Sequence, residues 1–176
     1  MTSPLITRKQ REALRRKFRP QHVRILFIGE SPPASGRFFY HGDSGLYRAF
    51  RELFQTADPS ICEENLLFRF RECGCYLIDL CVNPVDKLEP KARRDACAAG
   101  VSSLSRSIRQ LQPEIIVSLM RSIRVCIDRA TANAGWQGTI LDVPYPGRWI
   151  YHRQRFITEL LPHIKATMAS NSTGEM

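Results

Sequence analysis

Four short apolar runs constrain the fold of this chain more than any other feature. Residues 23–29, 75–80, 114–119 and 139–143 are short, and none keeps the strict polar–apolar alternation of a half-exposed strand. They read as strands buried on both faces, which is the habit of a parallel sheet. Helical patterns fill the gaps between them. Residues 7–18 form a basic amphipathic helix with Leu14 and Phe18 four apart, and Pro20 ends it. Ser44 caps a helix over about 45–55, where Leu46, Ala49, Phe50 and Leu53 share a face. A short helix covers 63–71. Pro90 opens a long one that ends near Leu111. Residues 122–134 form another, closed by Gly135, and a last helix runs over about 152–167.

Strands alternating with helices predict an α/β fold, a three-layer α/β/α arrangement around a four-stranded, mainly parallel sheet. The 176 residues suffice for one domain, expected over 1–165, with 1–22 as a basic N-terminal helix or arm. Residues 166–176 are small and polar and are expected to form a flexible tail. In such sheets ligands sit beyond the carboxyl ends of the strands. The loops there are 30–44, 81–89, 120–122 and 144–151, and chemistry is expected in them.

Composition narrows the partners. Apolar residues at 43% and charged residues at 24% exclude a chain disordered throughout. No apolar run is long enough to span a bilayer, and the Arg-rich start lacks the apolar segment of a secretory signal. A cytoplasmic monomer with no membrane contact is expected. Lys and Arg number 26 against 17 Asp and Glu, a surplus of nine. Arg8, Lys9, Arg11, Arg15, Arg16, Lys17, Arg19 and Arg24 face only Glu12 in the first 24 residues. Such a surplus points to a polyanion, nucleic acid first, with a plain solvated helix face as the alternative. The six cysteines, Cys62, Cys73, Cys75, Cys81, Cys97 and Cys126, are expected as free thiols. Cys73 and Cys75 have one residue between them, too few for the usual zinc pair. No metal and no cofactor is expected.

The first strand-end loop reads Gly29-Glu30-Ser31-Pro32-Pro33-Ala34-Ser35-Gly36-Arg37-Phe38-Phe39-Tyr40. An acid at a strand end, followed by two prolines, is rigidly held. Rigidity suits a group that aims at a water or a developing cation. Three consecutive aromatics suit stacking on a base. The plainer reading is a turn whose acid caps the backbone and whose aromatics cover the core.

The run Ile25-Leu26-Phe27-Ile28-Gly29-Glu30-Ser31-Pro32 resembles the first motif of the uracil-DNA glycosylase superfamily, above all the Gly-Glu-Ala-Pro-Gly form of its iron–sulfur branch. Ser44-Gly45-Leu46 resembles the Ala-Gly-Leu that opens the next helix there. Tyr76-Leu77-Ile78-Asp79-Leu80-Cys81 is similar to the strand that ends Tyr-Ile-Thr-Asn-Val-Val. The helix containing Cys97 and the run from Leu111 to Leu119 match in kind and spacing. The likeness spans about residues 23–165.

The resemblance implies cleavage of the N-glycosidic bond of a deaminated or altered base in DNA, with the base flipped out of the stack. It implies Glu30 as the catalytic acid, orienting water and stabilising an oxocarbenium-like sugar. Ser31, Pro32, Phe39, Tyr40 and Asp79 fall where the base is held, with Phe39 or Tyr40 as the stacker. Arg37, Tyr145, Arg148, Trp149 and His152 are the expected DNA contacts, and Tyr145, Arg148 and Trp149 lie in the loop that wedges into the duplex. Two departures stand out. Residues 1–24 hold no Cys, so four cluster ligands cannot be assembled as in that branch. The family's His-Pro is missing too, and His41, Tyr145, Arg148 and His152 are the possible replacements for its donor.

At residue 79 the family keeps an Asn that reads uracil through one donor and one acceptor. An ionised Asp offers acceptors only. It welcomes an N–H edge and repels O4, so uracil is not expected to be the best substrate. The alternative is an Asp79 that turns away, pairs with an Arg and reads nothing. A silent relative that binds nucleic acid, a nucleobase or a nucleotide stands beside the glycosylase reading.

Overall fold

The computed structural model describes residues 6–147 and 149–172. Arg148 and residues 173–176 of the expected tail therefore lie outside the described residues. Among the described residues four strands form one sheet: β1 (Ile25–Gly29), β2 (Cys75–Asp79), β3 (Ile115–Ser118) and β4 (Thr139–Asp142). Their order is β2-β1-β3-β4, and every pairing is parallel. β1 lies inside the sheet and all five of its residues are buried, as its unbroken apolar run requires. Among the described residues six α-helices flank the sheet: α1 (Arg8–Lys17), α2 (Gly45–Ala57), α3 (Leu66–Glu72), α4 (Pro90–Leu111), α5 (Arg124–Ala134) and α6 (Ile150–Ser172). α4 packs with α5, and α2 with α6. With the right-handed crossovers that are the rule for parallel strands, this strand order puts the two pairs on opposite faces of the sheet.

The α2–α6 face is filled by aromatic rings. Phe50 meets Phe27 at 4.8 Å, Phe39 and Phe156 at 5.2 Å and Phe70 at 5.4 Å between centroids, all at steep angles. Edge-to-face packing of this kind adds to the area that the rings bury.

Several boundaries differ from those expected. The sheet starts at Ile25 rather than residue 23. α3 begins at Leu66 because Asn65 Oδ1 accepts from Cys62 N at 2.9 Å and holds the preceding residues in a turn. The fifth helix is preceded by a short 3-10 turn at Arg121–Ile123. The largest correction is at the C-terminus. The chain past Ala166, expected as a tail, stays helical to Ser172. Arg24 Nη1 donates to the Thr167 carbonyl at 3.2 Å, and Thr167 itself is buried, so packing holds what composition alone would release.

α1 is likewise no free arm. Thr7 caps it in a reciprocal capping box with Gln10. Phe18 stacks on Tyr40 with ring planes 7° apart. Arg11 is buried, donating to the Ile6 carbonyl at 3.1 Å and the Val82 carbonyl at 3.4 Å.

Tyr40 itself is a strut. Its hydroxyl accepts from Leu77 N at 2.7 Å and donates to the Leu77 carbonyl at 3.1 Å, deep in the protein. Burial pushes its phenol well above the usual range, so it remains a donor. Tyr40→Phe strands both Leu77 groups without partners, and should destabilise the fold by about 1–3 kcal/mol in urea unfolding. An unchanged midpoint would mean that water replaces the hydroxyl.

Candidate active site

The register of the sheet builds the site. β1 and β2 pair so that Gly29 lies beside Asp79, at the carboxyl ends of both strands. Glu30 is the next residue, and its carboxylate turns inward, 7% exposed. Beyond these ends lies a cavity of about 290 Å³, lined by Glu30, Ser31, Pro32, Pro33, Phe38, Phe39, Leu46, Asp79, Arg93, Met120 and Tyr145 among others. Apolar walls with a few convergent polar groups are the usual make-up of a small-ligand site.

Glu30 is gripped from α4. Arg93 Nε donates to Oε1 at 2.8 Å and Arg93 Nη2 to Oε2 at 2.5 Å, a two-point fork. Cys97, one turn further along the helix, places its Sγ 3.8 Å from the same Oε1. Cys81 Sγ lies 3.7 Å from Cys97 Sγ. Burial pushes the Cys81 thiol up to about 12 and raises that of Cys97. The helix gets this close because residue 100 is Gly. A Cβ there would sit 2.4 Å from the Leu80 carbonyl oxygen.

Asp79 is gripped from the other side. Arg15 of α1 donates from Nη2 to Asp79 Oδ2 at 2.7 Å. Oδ1 leans over the β1 end, where a Cβ on residue 29 would come within 2.7 Å of it and push the carboxylate aside. Burial raises the Asp79 carboxyl above the ordinary carboxylate value, with Arg15 and then Arg11 pulling it back. The Arg15 guanidinium also lies 5.3 Å from the Phe38 ring centroid. Its Nε is buried without a partner among the described residues. Asp79 thus pairs with an Arg and lines the cavity at once, joining two readings that the sequence set apart.

The loops themselves are pinned. Ser31 Oγ accepts from Val85 N at 3.2 Å, and Asp86 Oδ1 accepts from Ala34 N at 3.0 Å. Asp43 Oδ1 accepts from Phe38 N at 2.7 Å and fixes the aromatic run. Of the residues singled out in the sequence, Glu30, Ser31, Pro32, Phe39, Asp79 and Tyr145 share the cavity. Tyr40 stands behind it, with its hydroxyl committed to Leu77. Arg37 is exposed and lines a separate hollow beside α1 with Lys17 and His41. His41 pairs with Asp43 Oδ2 at 3.0 Å, away from the cavity. Trp149 is 65% exposed, and His152 lies against the Tyr151 ring; neither lines the cavity. Among the possible replacements for the absent His, Tyr145 is therefore the described residue that reaches the site. Desolvation, then the charge of Asp79, raises its phenol, so it remains a donor at neutral pH.

Among the described residues no group of three or more His, Cys, Asp or Glu could hold a metal ion. Cys81 and Cys97 are two neighbouring sulfurs where a cluster takes four thiolates, so the residues present do not fit one. Nor is any described helix long and apolar enough to cross a membrane.

Sequence reasoning missed Arg93, Arg15 and Phe38. Arg93 did leave a signal. It sits in the first turn of α4, a helix with no acid in that turn, where the helix dipole disfavours a cation. Phe38 belongs to the aromatic run, but nothing local says which ring of the three faces inward.

A family model described as the uracil DNA glycosylase superfamily matches residues 16–168. No curated protein matches the chain.

The thiols report whether the seam between α4 and the sheet is closed. Iodoacetamide at about pH 8 should label exposed Cys62 first and leave Cys81 and Cys97 unmodified until the protein is denatured, as read by peptide mass spectrometry. Early labelling of Cys81 or Cys97 would show the seam open.

Proposed function

The chain belongs to the uracil DNA glycosylase superfamily, and on that premise we propose that it is a DNA glycosylase that removes a deaminated or altered base. One observation carries this reading. The buried carboxylate of Glu30 and the half-buried Asp79 line one apolar-walled cavity with Tyr145 at the carboxyl edge of the sheet. The base enters the cavity flipped, between apolar and aromatic walls, with Phe39 and Phe38 as the stacking surfaces. The bond between sugar C1′ and the base nitrogen breaks, and its electron pair leaves with the base. The sugar becomes cation-like, and the Glu30 carboxylate offsets that charge and holds the incoming water. Water adds to C1′, and its proton ends on the departing base. Tyr145 donates to the base as negative charge builds on it.

Asp79 meets the base edge. With Oδ2 on Arg15, Oδ1 is the oxygen left to accept a hydrogen bond. Such an acceptor suits a base that presents an N–H, and it leaves an adjacent carbonyl, such as O4 of uracil, facing negative charge. The cationic partner surface for DNA includes exposed Arg8, Lys9, Arg16 and Lys17 on α1, Arg37, and the aromatic residues Trp149 and Tyr151.

A second reading, a relative that binds nucleic acid without turnover, is favoured by one observation: the Glu30 charge is already matched by Arg93. Single-turnover assays on oligonucleotides carrying a panel of altered bases decide between the two. The wild type should release at least one base, and Glu30→Gln should slow that release at least ~10²-fold with DNA affinity nearly unchanged. An equal rate in the variant removes Glu30 from the chemistry. No release from any base leaves the binding module. In the same panel Asp79→Asn should raise uracil excision relative to the other bases, because the amide supplies the donor that O4 needs. A ranking that does not move would mean that Asp79 reads nothing.

A further inference from the structure

We infer that Arg93 is the positioning residue for Glu30, and that its fork leaves a single lone pair, on Oε2, to hold the attacking water. This rests on the glycosylase reading above and goes beyond it.

The geometry supplies the argument. A carboxylate offers about four lone-pair sites, two on each oxygen. Oε1 takes Arg93 Nε at 2.8 Å and lies 3.8 Å from the Cys97 sulfur, so both of its sites are in use. Oε2 takes Arg93 Nη2 at 2.5 Å and keeps one site open. Glu30 is 7% exposed and lines the cavity, so its carboxylate is sheltered from bulk solvent. A planar fork fixes rotation about the last bond of Glu30, which a point-charge Lys cannot do.

Nothing in α4 itself asks for an Arg there. Pro90 stands at the start, Glu89 makes no side-chain cap, and the first turn holds no acid, so the helix end disfavours the charge. The match to Arg93 comes from across the seam. Residues 93, 97 and 100 fall on one helix face. Gly100 lets that face close on Leu80, Cys97 meets Oε1, and Arg93 closes the fork. Arg93 also has 35% of its side chain exposed at the cavity lip, so it is not there to fill the core.

The test is a double-variant cycle read by single-turnover excision, with affinity for an uncleavable abasic-analogue oligonucleotide measured in parallel. Arg93→Gln should slow excision at least ~10-fold while affinity stays within about threefold, because a misaimed group harms the chemical step more than docking. Arg93→Lys should recover only part of the rate, since it keeps the charge and loses the fork. In a Glu30→Gln background, Arg93→Gln should change the rate by less than about twofold, because a residue that acts through Glu30 has nothing left to act through. Thermal melts of all variants separate loss of fold from loss of aim. An Arg93→Gln protein as fast as wild type, or one whose effect is undiminished in the Glu30→Gln background, overturns the positioning role and leaves the glycosylase reading intact. A wild type that releases no base overturns that reading, and the positioning role with it.

Discussion

Two carboxylates at the dry end of a parallel sheet must each find a cation, and much of this structure follows from that requirement. Asp79 closes β2 and Glu30 follows β1, side by side through the strand register. Buried acids without partners take up protons and lose their use as anions. Arg15 arrives from α1 and Arg93 from α4, each from outside the sheet. The docking of both helices is therefore tied to the site. α1 is held through Arg11, Arg15 and Phe18, and α4 through Gly100, Cys97 and Arg93. A cavity with charged ends and aromatic sides remains between them.

This use of charge revises the meaning of the basic composition. The sequence carries nine more cations than anions, crowded toward its start. Arg11, Arg15 and Arg24 turn out to be internal fasteners, bonded to backbone carbonyls or to carboxylates. The exposed positive charge is smaller than the count suggests, and it is shared between the outward face of α1 and other helices, where Arg94, Arg106 and Arg129 are exposed.

The strands and their alternation with helices were legible because a strand buried on both faces is an unbroken apolar run, as β1 is and as β2 is up to its last residue, Asp79. The position of Glu30 was legible as an acid directly after such a strand with prolines behind it, although the same pattern also fits a turn whose acid caps the backbone. Tyr40 and Phe39 could not be told apart along the chain. They are neighbours in one 3-10 turn, and which ring faces the cavity depends on where the Leu77 backbone lies, a contact 37 residues away in sequence. Which carboxylate each Arg would meet was illegible for the same reason, although the place of Arg93 in its helix left a signal. Arg15 and Asp79 are 64 residues apart, and Arg93 and Glu30 are 63 apart. The end of α6 was misread because small polar residues suggest fraying until Arg24, from the far side of the chain, ties them down.

The Tyr40 strut has a consequence for the open border of the sheet. β2 is an outermost strand, and the middle of its open side would otherwise present the Leu77 N–H and carbonyl as a template for a foreign strand. A phenol already fills both positions from within the same chain. The opposite margin, β4, is short, with exposed ends at Thr139 and Asp142. The same phenol that holds up the cavity wall therefore also occupies the hydrogen-bonding groups in the middle of the β2 border, while the carboxyl edge of the sheet opens on the cavity.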